Sequence, residues 1–163
     1  MIIWVALLFA QSAVPSQFDR GEALFLDPAL GCSSCHALKG KGTAVGPDLK
    51  GIARLSPAGI VMAVRSSVTQ YVQNVKLKSA DAAFPTLPPA AGDQPVTLYD
   101  LSKTPPEAHK VERADIGAMT ANSAWKHPPT TRTYTDQQMA DIIAYIKYAG
   151  TGSKTPVEPD DVK

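Results

Sequence analysis

The 163-residue chain carries 16 Lys and Arg against 15 Asp and Glu, a formal net charge of +1. That length fits one domain, and the near balance of charge gives no reason to expect nucleic acid or an anionic membrane surface as partner. Fourteen prolines are many for a helical protein and predict long structured loops rather than disorder throughout.

In chain order, Ile2 to Ala10 form an apolar run followed by Gln11-Ser12-Ala13. This reads as a short signal peptide, residues 1–13, cut near Ser12 or Ala13. The run is too short to span a bilayer, which takes about 20 residues. It also lacks a leading Lys or Arg, so an uncleaved anchor or a misplaced start codon is the alternative. Phe18, Gly21, Glu22 and Phe25 then recur at helical spacing and fall on one side of a first helix. Gly21 weakens that helix and so points to a close crossing by another element.

The motif with the most chemistry follows. Cys32-Ser33-Ser34-Cys35-His36 has the spacing of a c-type haem attachment site, in which two thiols add to the vinyl groups of one haem and the histidine is the proximal iron ligand. The chain has no other cysteine. A thioredoxin-like pair would follow a strand of a βαβ unit, and a zinc site would need a second pair of ligands at similar spacing; the sequence displays neither pattern.

Ser56-Pro57 reads as a cap followed by proline at the first helical position, with Ile60, Val61 and Val64 giving that helix a buried side. Near the end, Thr135 and Gln138 form a capping box. Met139, Ile142, Ile143 and Ile146 continue as an apolar stripe that Gly150 is expected to end. Thr151 to Lys163 is polar, contains proline and lacks periodicity, and reads as a flexible tail.

The run from Phe18 to Phe25, the Cys32 to His36 motif, Gly46-Pro47-Asp48-Leu49, the helix from Ser56 and the stretch Ala140 to Ile146 together resemble a class I, mono-haem cytochrome c. The resemblance implies a mainly α fold, three core helices around one covalent haem c, within residues 14–150. It implies a crossing of the first and last helices where Gly21 and Phe25 meet Tyr145. It further implies that the Pro47 carbonyl accepts the Nδ1 proton of His36, fixing its tautomer, and that Leu49 packs on the haem face.

Between Ser66 and Ile116 the chain departs from that pattern. Val72, Val75 and Leu77, then Val96, Leu98 and Tyr99, then Val111 mark β-prone stretches, separated by the proline-rich pieces Phe84 to Pro89 and Thr104 to Pro106, which read as turns and extended loops. A small sheet of two or three antiparallel strands is expected within an insertion at 67–115. Leu98 to Ser102 and Trp125 to Pro129 are similar to segments of cytochrome domains associated with periplasmic quinoprotein dehydrogenases.

The sixth iron ligand is left open among Met62, Met119, His109 and His127. Met62 lies off the buried face of its helix, and Met139 belongs to the apolar stripe. Met119, in the non-periodic stretch Gly117 to Thr120, occupies the place where the family's loop delivers its methionine and is the expected ligand, although the family often has proline directly after it where this chain has Thr120. His127 would then serve near a propionate, with Trp125 and Arg54 as further donors. Lys39, Lys41 and Lys50 could ring an exposed haem edge and steer an acidic partner.

The expected function is periplasmic single-electron transfer through a His36/Met119-ligated haem, without catalysis, to or from a dehydrogenase, oxidase or other cytochrome. The alternatives are a haem-bearing accessory subunit of a larger electron-transfer complex, and a haem sensor or enzyme with an open sixth position.

Overall fold

Two capping boxes set the helices that carry the fold. Ser16 accepts from the Asp19 amide while Asp19 accepts from the Ser16 amide, starting α1 (Gln17–Leu26); Thr135 and Gln138 do the same for α4 (Asp136–Thr151). Each box satisfies two amides that the first turn leaves without an intrahelical acceptor. The computed structural model describes residues 14–29, 31–65, 71–89, 92, 94–127 and 134–163, so the expected signal peptide lies outside the described residues. Between the two helices lie α2 (Cys32–Cys35), the short ribbon β1 (Ala37–Leu38) and β2 (Lys41–Gly42), a 3-10 turn at Leu49–Gly51, and α3 (Pro57–Arg65). Gly152, with φ +79°, caps α4 and accounts for its end two residues beyond the expected Gly150.

Helices α1 and α4 cross at Gly21. A Cβ there would run into the Asp141 carbonyl and come within 2.8 Å of the Tyr145 Cβ. Phe25 packs on Tyr145 with ring centroids 5.6 Å apart, and Phe18 on Tyr148 at 4.9 Å. Leu38, Ile60, Ile143 and Ile146 are fully buried around this crossing or nearly so. Arg20 clasps Asp141 with two hydrogen bonds of 2.8 and 2.9 Å, so the one buried carboxylate of α4 is held across the interface. Burial alone would raise the Asp141 pKa, but hydrogen bonds from Arg20, Gln137 and Gln17 together outweigh it and hold the group below the ordinary carboxylate value. A depressed folded-state pKa stabilises the fold above the unfolded value of about 3.9, and that stabilisation is lost as pH falls through the folded value. Asp141→Asn should therefore melt below wild type at neutral pH, with the gap closing below about pH 4. A gap in melting temperature that is constant with pH would contradict this role.

The inserted region is richer in strands than expected. β3 (Gln73–Leu77) is the centre of a three-stranded antiparallel sheet in the order β4-β3-β7, with β4 at Ala83–Thr86 and β7 at Ile116–Ala121; β5 (Val96–Asp100) and β6 (Glu107–Val111) pair as a separate antiparallel ribbon. Phe84-Pro85-Thr86, expected as turn and loop, is the edge strand β4. Pro85 has no N–H to donate, which an edge position tolerates, and its carbonyl accepts from Leu101 at 2.8 Å, joining sheet and ribbon. Val75, Leu77, Val96 and Leu98 form a second small core here. Gly117 to Thr120, expected as a ligand loop, is likewise strand, in β7. With four helices beside seven strands among the described residues, the chain is mixed α and β rather than mainly α.

The tail also differs from expectation. Val157 and Val162 are 2% and 0% exposed within the helical core, and residues Pro159–Val162 form a 3-10 turn. The Gln17 amide donates to the Val157 carbonyl at 2.7 Å and accepts from its N–H at 3.1 Å. The segment is docked, not flexible, because α3 and α4 pack against the 3-10 turn and the Gln17 side chain of α1 partners the Val157 backbone. Burial of a valine side chain contributes roughly 1.5 kcal/mol or more. Removing residues 156–163 should therefore cost about 3 kcal/mol and lower the melting temperature by about 6–12 °C; an unchanged melting curve would show that the tail adds nothing.

Candidate haem site

The Cys-x-x-Cys segment forms one helical turn, α2, and His36 is its C-cap, its N–H donating to the Cys32 carbonyl at 2.9 Å. Cysteines three apart on a helix share a face, so both thiols are presented to one side. Neither forms a disulfide. Burial, with the neighbouring Cys32 adding to it, pushes the Cys35 thiol up, the reverse of the lowered thiol that disulfide exchange uses. Among the described residues no cluster of three His, Cys, Asp or Glu side chains could hold a metal ion, so the zinc alternative lacks its further ligands there.

The loop 43–47 folds back over this turn. Thr43 N–H donates to the Ser33 carbonyl at 2.8 Å, and Val45 and Gly46 N–H both donate to the Cys35 carbonyl, at 3.1 and 2.6 Å. This brings the Pro47 carbonyl oxygen to 2.7 Å from His36 Nδ1. A carbonyl only accepts, so Nδ1 carries the proton and Nε2 keeps its lone pair. Gly46 lies flat against the ring: a Cβ there would be 2.7 Å from His36 Cε1 and 3.0 Å from Nδ1. Burial lowers the His36 pKa, partly offset by the Pro47 contact, which favours the neutral imidazole that binds metals. Leu49, at the start of the following 3-10 turn, packs against the helical core.

His36 Nε2 faces a second imidazole, with His127 Nε2 3.3 Å away. The ring centroids are 5.6 Å apart. The difference of 2.3 Å equals two centroid-to-vertex radii of a five-membered ring, so the two rings point at each other along one line. Trp125 sets its ring edge-on to His127, with centroids 6.1 Å apart at 84°. His127 is pushed down to about 4, first by burial and then by the charge of His36.

The other candidate residues are elsewhere. Met119 stands in β7 opposite Val75 and packs with the second core. His109, in β6, packs its ring at a tilt against Phe84, with centroids 5.0 Å apart. Met62 is 64% exposed, and Met139 is buried in the helical core. Arg54 is exposed on the turn preceding α3. Lys41 pairs with Glu22 at 2.6 Å and Lys39 sits over the Tyr148 ring at 5.5 Å, so both are drawn onto the α1 and α4 face. The sequence did carry a signal for His127: Pro128 follows it directly, as proline often follows the ligand methionine in the resembled family.

The donor set suits a covalently attached haem, with two thiols on one face, a proximal imidazole of fixed tautomer and a glycine where the loop must lie against the ring. Among the described residues no helix is long and apolar enough to cross a membrane. A comparison with curated proteins returns no match. Residues 18–91, from α1 through the attachment turn and α3 to β4, match the Cytochrome c family model, which supports a cytochrome c and makes covalently bound haem c the cofactor of this segment.

Proposed function

We propose that the protein is an exported single-electron carrier and not an enzyme, exchanging electrons in the periplasm with a redox protein such as a dehydrogenase, an oxidase or another cytochrome. The observation that carries this reading is the attachment turn closed over by the 43–47 loop, with His36 locked through Nδ1 to the Pro47 carbonyl. Haem c, when bound, supplies an iron centre that gains and loses one electron. The chain's own part is to hold that centre still. Cys32 and Cys35 tether it, Pro47 orients and increases the basicity of His36, and the loop hydrogen bonds to Ser33 and Cys35 keep the imidazole from turning between oxidation states. Export is supported by the apolar run at residues 2–10 and by the attachment motif itself, since such haems are normally attached outside the cytoplasm.

A sensor or enzyme needs an open sixth position, and the second imidazole opposite His36 does not favour one. The test is a spectroelectrochemical titration of the matured protein. A single reversible one-electron wave, with slow carbon monoxide binding to the ferrous form, is the expected result. An irreversible wave or rapid carbon monoxide binding would overturn the carrier reading.

A further inference from the structure

We infer that His127 is the sixth ligand of the haem iron, so that the site is a bis-histidine centre and Met119 has a structural role. The inference rests on the haem-carrier reading above and deepens it.

Four observations converge on this assignment. The first is alignment. The His36 and His127 rings face each other nitrogen to nitrogen along one line, 3.3 Å apart, the relation that two ligands on opposite sides of one ion must have. Two metal-to-imidazole bonds of about 2.0 Å each set the nitrogens about 4 Å apart, so less than about 1 Å of outward movement of the 122–127 segment is needed.

The second is tautomer. The Pro47 carbonyl keeps the His36 proton on Nδ1, and the lone pair on Nε2 is directed at His127.

The third is positioning. The inserted sheet delivers the second histidine: Asn122 N–H donates to the Val72 carbonyl at 2.9 Å, its side-chain amide donates to Asn74 at 2.9 Å, and Trp125 N–H reaches back to the Asn122 carbonyl at 3.5 Å. From that anchor His127 is five residues on, with the Trp125 ring set across its edge. The insertion thus has a task at the site, holding the distal ligand at a fixed height over the attachment turn.

The fourth is the fate of the competitors. Met119 is committed to the second core in register with Val75, His109 to Phe84, and Met139 to the helical core, while Met62 lies largely in solvent. The family match ends at residue 91, before His109, Met119 and His127.

An imidazole in place of a thioether lowers the reduction potential. The chain should therefore sit lower in potential than a His/Met centre in the same pocket.

The test uses the full chain, matured with haem. The ferric wild type is expected to be low-spin and to lack the weak long-wavelength sulfur-to-iron charge-transfer band. Met119→Leu should leave the spectrum unchanged. His127→Met should create the sulfur band and raise the midpoint potential, and His127→Gly should become high-spin and return to low-spin on addition of free imidazole. Imidazole rescue separates loss of a ligand from loss of the fold. A sulfur band in wild type that disappears in Met119→Leu would overturn the inference, as would a His127→Gly spectrum identical to wild type. A chain that retains no haem after denaturation would sink the carrier reading and this inference together, whereas retained haem with methionine ligation would sink only the inference.

Discussion

Gly21→Ala should destabilise the protein by about 3 kcal/mol, and Gly21→Val should prevent folded protein from accumulating. In an ordinary helix interior, glycine to alanine is favourable by roughly 0.5–1 kcal/mol, so the expected sign is reversed. The reason is the α1 and α4 crossing, where a single methyl group would overlap the backbone carbonyl of Asp141 and crowd the Tyr145 Cβ. The obstacle is backbone, and it cannot rotate away as the end of a long side chain could. The helices would have to separate, opening the Phe25 to Tyr145 contact and straining the Arg20 clasp on Asp141. Overpacking of this kind typically costs 1–3 kcal/mol and occasionally more, against a total stability of about 5–15 kcal/mol. Chemical denaturation of the two variants checks this. A Gly21→Ala variant at least as stable as wild type would mean that the helices do not cross so closely.

Gly46→Val should strike the site rather than the fold. Its Cβ falls within 2.7 Å of the His36 ring, and the added methyl groups would push the imidazole away from the Pro47 carbonyl. Loss of an outer partner of a metal-ligating histidine typically costs 10- to 100-fold in metal affinity or activity. The expected outcome is a protein with its full complement of covalent haem and near-wild-type far-ultraviolet dichroism, but with a high-spin ferric fraction and faster carbon monoxide binding to the ferrous form. The contrast with Gly21 is informative, because one glycine admits a helix and the other a ligand ring. If Gly46→Val keeps a wild-type absorption spectrum, the loop does not set the position of His36.

Local signals made half of this legible in advance. The Thr135 to Gln138 box, the Ser56-Pro57 start and the stripe Met139 to Ile146 are all written within one or two turns of chain, and each is present. So is the attachment motif, whose residues make their chemistry within five positions. What the sequence hid depends on partners distant in the chain. Gly117 to Thr120 has the composition of a loop and becomes a strand only because β3 supplies its ladder, in a register that shifts between Val75 and Leu77. Val157 and Val162 show no periodicity of their own, yet both are buried once Gln17 and the helical core receive them. The lysines near the attachment turn could be counted but not aimed, and Lys41 turns to Glu22 on α1. His127 lies 91 positions from His36, and the expectation for Met119 followed its place in chain order more than its surroundings. In the structure Met119 packs against the second core, and it is His127 that faces His36.

The most direct measurement is the mass of the purified, denatured chain after expression with a c-type haem maturation system, for wild type and for Cys32→Ala with Cys35→Ala. Wild type is expected to carry the added mass of one haem through denaturation and acid extraction, and the double variant none. A wild-type chain that emerges at its apoprotein mass would rule out covalent haem, and with it every role given to His36, Pro47 and His127, since each depends on a haem held by those two thiols.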